Sequence, residues 1–405
     1  MSAEPPQTMR PHAQRCLLVV STSARMLVRA ARRAGWQALA VDAFGDVDTR
    51  ASALAWEGAE LDPDGGLRAQ SVLRAVERLS GGRSLPLLLG SGLESQPWAL
   101  RELARSQRLA GSPPQVWELL ARPREWFGVL DELGIAHPDV AWSDAPGEGR
   151  WLAKRAASSG GMHVRELAPG QALPGADWYA QRRIDGRCCS MLFLADGVRA
   201  RAVGFNRLLP AAAAAPGPFA WSGASAPVAL AGSLRGDVVR AGQALTQRLG
   251  LRGLCGLDFV CDDSGWKLLE LNPRPTATVE LWDVHGMPPL LGWHLRACAG
   301  TLPDGPLHAG GAHALAVAYA SQSLQVPERT QWPAWCRDLP PPGQRIPGGA
   351  PLCTVHARHV APARAAALVA ARAAGIERRL LAGPLPEPST TGAAAPVASR
   401  TGVAV

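Results

Sequence analysis

The residues best suited to chemistry sit on two short apolar runs in the second half of the chain. They are Gly256-Leu257-Asp258-Phe259-Val260 and Leu268-Leu269-Glu270-Leu271-Asn272-Pro273-Arg274. Asp262-Asp263-Ser264-Gly265 lies between them and reads as a hairpin turn. Glu270, Asn272 and Arg274 are spaced by two, so an extended chain points all three to one face. Asp258 lies on the partner strand, where it can face them. Two carboxylates and an amide oxygen make an all-oxygen site, which suits Mg²⁺ when phosphate oxygens complete its shell. Arg274 beside them suits a transferring phosphoryl group or a developing anion. An ordinary hairpin with a solvated polar face is the competing reading of the same residues.

The elements that must position such a site follow from apolar patterning. Length alone suggests two or three domains. Cys16–Ser21, Trp36–Val41 and Leu85–Leu89 read as buried strands, with helices over Thr22–Ala34 and 67–80 between them. This alternation predicts a small doubly wound α/β domain over 14–112. No GxGxxG follows the first strand, so a dinucleotide fingerprint is missing. Gly90-Ser91-Gly92 reads first as a plain turn, with a phosphate contact as the weaker alternative. Glu94, just beyond it at the end of a parallel strand, is a candidate for binding an amine substrate. A larger unit is expected over 113–300, opened by a helical stretch 115–133 that Pro123 interrupts. A further section is expected over 301–383, with strands at Ala314–Tyr319 and Leu352–His356 and a helix at 362–380. A disordered Pro/Ala/Thr/Ser tail is expected over 384–405.

Composition narrows the function classes. A formal net charge of +8 is modest for 405 residues and is spread as dispersed Arg, so nucleic-acid binding is not expected. No apolar run is long enough for a membrane span, and Met1–Arg15 lacks the apolar core of a secretory signal. The eight Cys form no CxxC pair, so no zinc ribbon or disulfide framework is suggested and a reducing cytoplasm is expected. Cys188-Cys189 reads as a pair of small buried hydrophobes. Of 42 basic residues only Lys154 and Lys267 are lysine, and Asn occurs only at 206 and 272. GC-rich coding accounts for the scarcity. It also draws attention to the positions where Lys or Asn survives, because Arg does not substitute for Lys as a compact charge.

The hairpin resembles the closing motif of the ATP-grasp superfamily, which includes biotin carboxylase and D-alanine–D-alanine ligase. In that pattern an acidic residue is followed about twelve positions later by Glu, then by Asn at plus two and Arg at plus four. Here Asp258, Glu270, Asn272 and Arg274 have that spacing, with Asp where many members have Glu. The resemblance implies an N-terminal pre-ATP-grasp α/β domain, a two-part ATP-grasp fold and a small C-terminal extension. It assigns ATP phosphates to Lys154 and the loop Ser158-Ser159-Gly160-Gly161, where small residues let backbone N–H groups approach an anion. It assigns the adenine and its linker to Gln181, Arg182, Ile184 and Asp185. Mg²⁺ or Mn²⁺ falls to Asp258, Glu270 and Asn272, with Asn272 and Arg274 acting on the reacting groups.

Relatives often carry a further basic residue in the preceding helical linker; Arg122 and Arg124 are the candidates here. His163 reads as a turn residue or a phosphate contact, and Asn206 as a turn cap or a substrate contact. Lys267, by alternation, faces away from Glu270 as a solvated residue. The implied activity is carboxylate–amine ligation through an acyl phosphate, on small-molecule carboxylate and amine substrates. The assembly expected is a homodimer. Alternatives are a carboxylase-like reaction on bicarbonate and a non-catalytic nucleotide-binding regulator. The whole is also similar to bacterial ATP-grasp proteins of C1-metabolism gene sets, associated with methanofuran- or tetrahydromethanopterin-type cofactors. Lys154→Arg is expected to lower ATP turnover by about an order of magnitude although it keeps the charge; steady-state ADP release checks this.

Overall fold

The computed structural model describes residues 15–262, 265–307 and 310–381. Expectations for residues 1–14, for the Asp263-Ser264 turn and for the tail from residue 384 fall outside these. The apolar runs near the N-terminus form one parallel sheet. Its strands lie side by side in the order Ala55–Gly58, Gln37–Asp42, Cys16–Val20, Pro86–Leu89 and Arg108–Leu109. Leu17 to Val20 are all buried, as expected for a strand covered on both faces. Helices Arg25–Arg33 and Ala69–Ser80 match the helical stretches expected from patterning. The Ala55–Gly58 edge strand and the Pro97–Ser106 helix carry weaker patterns and are added by the fold. Pro114 and Pro123 each open a helix, Pro114–Leu120 and Pro123–Glu132. Proline is suited to that first position because the N–H it lacks would have no intrahelical partner.

The second layer is an antiparallel eight-stranded sheet. Its order is Gly265–Asn272, Arg252–Asp262, Arg187–Asp196, Ala200–Leu208, Gly223–Ala226, Ala312–Tyr319, Pro351–His359 and Cys336–Arg337. The sheet therefore continues past residue 300, and strands from the C-terminal section extend the one that carries the hairpin. Ala312, Ala314, Ala316 and Ala318 alternate onto one face. They share a core with Ala365, Val369, Ile376 and Leu380 of the Pro362–Leu381 helix. A separate four-stranded antiparallel sheet has the order Val140–Ala141, Trp178–Arg182, Trp151–Arg155 and Arg165–Leu167. It has its own small core of Ala145, Trp151, Ala153, Leu167 and Ala180.

One buried arginine ties the three parts of the chain together. Arg25, from the N-terminal region, donates to Asp338 from Nε and Nη2, both at 2.9 Å. Its Nη2 also reaches Glu280 Oε2 at 2.7 Å, and Nη1 pairs with the other Glu280 oxygen. Burial opposes the charge on Asp338, but Arg25 outweighs it and holds that carboxyl down at about 2. Ser23 adds a hydrogen bond to Asp338 at 3.0 Å. Removing the guanidinium would leave two carboxylates enclosed without their partner, which is costlier than never having built the pair. Arg25→Ala is expected to cost about 3–5 kcal/mol of folding stability, read as a fall in the urea midpoint with an unchanged slope.

Candidate active site

The hairpin register sets the geometry. Asp258 pairs directly with Glu270, and Gly256 with Asn272. Residues directly opposite in an antiparallel pair share a face, so both carboxylates look the same way. The register shifts between Asp258 and Phe259, so that Phe259 pairs with Leu268 and Leu269 is the extra residue. This bulge reverses the alternation beyond it. It places Lys267, opposite Val260, on the face of Asp258 and Glu270 rather than away from them. Lys267 is also not simply solvated: it is half-buried, and its Nζ donates to the His137 carbonyl at 3.4 Å. The bulge carries no proline or glycine that would have announced it.

Asn272 is buried, and its Nδ2 donates to Asp258 Oδ2 at 3.4 Å, which turns its Oδ1 the other way. Lys154 stands on the Trp151–Arg155 strand and lines a cleft with Glu270, Asn272 and Ser158. The cleft is open to solvent on one side and walled by protein on the others, and that enclosure dominates the electrostatics. It raises the Asp258 carboxyl to about 7, with Glu270 adding to the rise and Arg274, Lys154 and Asn272 opposing it. Enclosure likewise raises Glu270 against the pull of Lys154 and Arg274, with Glu94 adding to the rise. It lowers Lys154, against the two carboxylates that favour its charge. His163 also lines the cleft; enclosure and the Lys154 charge push its imidazole down to about 4, so it is neutral at pH 7.

The small-residue loop after Lys154 is held from behind. Gly160 and Gly161 both have positive φ, 75° and 73°. A Cβ on Gly161 would lie 1.9 Å from the Phe219 carbonyl oxygen, and Trp221 N–H donates to the Gly160 carbonyl at 2.9 Å. At position 161 glycine is thus required by the 217–221 segment packed against the loop. Ser159 is half-buried in the same turn.

On the Trp178–Arg182 strand, Tyr179 pairs with Lys154 and lines the cleft. Gln181, two residues on, points to the same side. It is buried, and its Nε2 has no hydrogen-bond partner. A buried donor without an acceptor is costly, so this amide fits a ligand that supplies one. The Arg182 side chain is exposed and pairs with Asp139 at 3.1 Å. Ile184 is half-buried. Asp185 is exposed, 3.5 Å from Arg150 and 3.8 Å from Arg183.

Several side chains take other places than expected. Asn206 neither caps a turn nor faces the cleft. It is fully buried, donating to Ser190 Oγ at 3.0 Å and accepting from Trp282 Nε1 at 2.6 Å. Cys189 is buried as expected, but Cys188 is exposed. Arg122 pairs with Glu125, and Arg124 stacks over Trp142, so neither lines the cleft. Trp117 and Trp126 from those helices line it instead. Both are buried members of the main hydrophobic core, so their residue type does not mark them as cleft residues. Glu94 also lines the cleft, with its Oε1 held by Arg274 Nε at 2.8 Å.

Comparison with known proteins agrees with this architecture. Residues 125–278 match the family model described as ATP-grasp domain. The biotin carboxylase domain of Hydrogenobacter thermophilus 2-oxoglutarate carboxylase superposes with a TM-score of 0.66 at 15% identity. That match covers 85% of this chain and 86% of that one. It was solved as a dimer with MgADP, ADP and bicarbonate. The biotin carboxylase domain of a single-chain bacterial carboxylase gives 0.64 at 19% identity, covering 87% and 88%. Campylobacter jejuni biotin carboxylase, in complex with a nucleotide, gives 0.64 at 14%, covering 87% and 89%. No curated protein sequence matches the chain. The chain thus carries an ATP-grasp domain after an N-terminal α/β region, in the fold of the biotin carboxylases.

The raised Asp258 carboxyl has a consequence for stability. Its folded value, about 7, lies above the ordinary 3.8. The folded state therefore binds the proton more tightly than the unfolded chain does. That contribution is complete below about pH 4 and is lost as pH rises through about 7. Asp258→Asn is expected to raise the melting temperature of the unliganded chain at pH 8 and to leave it nearly unchanged at pH 4.

Proposed function

We propose that this chain is an ATP-dependent ligase that activates a small-molecule carboxylate as an acyl phosphate and transfers the acyl group to an amine. The observation that carries the reading is the register that sets Asp258 opposite Glu270 with Asn272 bonded to Asp258, beside a cleft that Glu270 and Asn272 line together with Lys154. Among the described residues no group of three or more His, Cys, Asp or Glu is arranged to hold a metal unaided. Two carboxylates and an amide fit a Mg²⁺ ion whose remaining ligands are phosphate oxygens. The unpartnered Gln181 amide fits an acceptor on the nucleotide base.

In this reading Asp258, Glu270 and Asn272 hold the metal, Mg²⁺ or Mn²⁺, which when bound neutralises phosphate charge. Lys154 and the 158–161 loop hold phosphate oxygens, and Gln181, Arg182, Ile184 and Asp185 frame the adenosine end. The substrate carboxylate oxygen bonds to the γ-phosphorus as the bond to the bridging oxygen breaks, releasing ADP. The amine nitrogen then attacks the acyl carbon, phosphate leaves, and the nitrogen gives up a proton. Arg274 stabilises negative charge in both steps. The chain's contribution is positioning and electrostatics, so no nucleophilic side chain is required. Closure of the loop over the site would keep water from the acyl phosphate.

A bicarbonate-dependent carboxylase is the second reading, favoured by the fold shared with biotin carboxylases and by the bicarbonate in the Hydrogenobacter complex. The placement in C1-cofactor assembly rests on the resemblance of the sequence. The dimeric Hydrogenobacter domain makes a homodimer the first assembly to look for. The test is ADP release from MgATP with bicarbonate, amino acids and amine-bearing cofactor precursors as acceptors. At least one should stimulate it, and Glu270→Gln should lower the stimulated rate by about a hundredfold. No stimulation by any acceptor, or a Glu270→Gln variant that matches wild type, defeats the proposal.

A further inference from the structure

We infer that Glu94 is a positioning residue for Arg274, holding the guanidinium off the two metal-site carboxylates and presenting its outer edge to the substrate anion. The inference rests on the ligase reading above and adds the N-terminal region to its machinery. Glu94 lies just past the Pro86–Leu89 strand, on a turn that has little freedom. Gly92 in that turn has φ +118°, and a Cβ there would fall 2.5 Å from Thr22 Oγ1 and 2.8 Å from Leu67 Cγ. The Gly92 N–H donates to Glu94 Oε2 at 2.6 Å. Glu94 Oε1 accepts from Arg274 Nε at 2.8 Å and lies 2.7 Å from Nη2. The two side chains are 16% and 9% exposed, so the pair is well shielded from water. Both Glu94 oxygens are thereby engaged, Oε1 by the guanidinium and Oε2 by a backbone N–H.

The charges explain why such a clamp is needed. Arg274 is close enough to favour the charged forms of Asp258 and Glu270, yet it forms an ion pair with neither. An unrestrained guanidinium has a Coulombic reason to fold onto those carboxylates and occupy the place of a cation. Pro273 and Pro275 flank Arg274 and narrow its backbone choices. Glu94 takes the Nε/Nη2 edge of the fork. The Nη1 edge makes no hydrogen bond among the described residues and is left for an anion. The anion that fits is the carboxylate, bicarbonate or acyl phosphate of the proposed reaction, bound where the N-terminal turn meets the end of the hairpin.

A double-mutant cycle on the full chain tests this, using Glu94→Gln, Arg274→Gln and the pair, with ADP release measured under the acceptor panel above. Glu94→Gln keeps the shape and the acceptor oxygen but removes the charge. It is expected to lower kcat about tenfold while the KM for MgATP stays within about twofold. In the Arg274→Gln background the same change should add less than about twofold, because Glu94 acts through Arg274. Glu94→Asp, one methylene shorter but still charged, should recover part of kcat. Wild-type kinetics in Glu94→Gln, full multiplication of the two effects in the double variant, or a rise in KM for MgATP with kcat unchanged would each overturn the inference while leaving the ligase reading standing. Absence of ADP release by the wild-type chain with every acceptor defeats that reading and this inference with it.

Discussion

Asp258 and Glu270 face each other across a hairpin, and two carboxylates at cross-strand distance repel. Asp258 is half-buried and Glu270 still meets solvent, yet the surrounding protein adds desolvation to that repulsion, and both carboxyls are raised. Much of the surrounding structure can be understood as compensation. Asn272 donates to Asp258, Lys154 approaches from the four-stranded sheet, and Arg274 lies beyond the strand end. Each supplies positive charge or a donor to the pair. Two carboxylates and an amide oxygen beside a lysine and an arginine suit a divalent metal held together with phosphate oxygens.

The positive groups must in turn be kept apart from the carboxylates they balance, and this is where the distant parts of the chain enter. Lys154 comes from a sheet with its own small core, joined to the hairpin through the cleft and the segments that flank it. Arg274 is anchored on Glu94, 180 residues earlier in the sequence. The N-terminal region that supplies Glu94 is fixed by Arg25, whose partners Glu280 and Asp338 come from the segment after the hairpin and from the C-terminal section. Glu280 follows Arg274 by only six residues. The short segment 274–280 is thus tied to the N-terminal region at both ends, by Arg274–Glu94 and by Glu280–Arg25.

Much of this architecture is legible in the residue pattern. The three central strands of the N-terminal sheet, two of its helices, the helical stretch that Pro123 interrupts and the hairpin follow from apolar periodicity and from turn residues, which are local properties. The spacing of Asp258, Glu270 and Asn272 on one face follows from the same period of two. The scarcity of Lys and Asn draws attention to Lys154 and Asn272, both of which the fold brings to the cleft. The same reasoning fails for Asn206, where a rare residue serves a buried hydrogen-bond network.

Local sequence dictates which elements form, which residues share a face within an unbroken strand, and which family pattern the hairpin resembles. Each of those depends on neighbours a few positions away. The remainder arises only when distant segments pack. The bulge at Leu269 that turns Lys267 to the site face depends on how two strands meet, and no residue type marks it. The requirement for glycine at 161 comes from a carbonyl 58 residues later. The Trp117 and Trp126 walls of the cleft look like core in a helical pattern, because burial against a protein core and burial beside a ligand site call for the same side chains. Glu94 and Arg274 are ordinary residues apart and meaningful together, since a Coulombic partner is chosen by distance in space and not by separation in sequence.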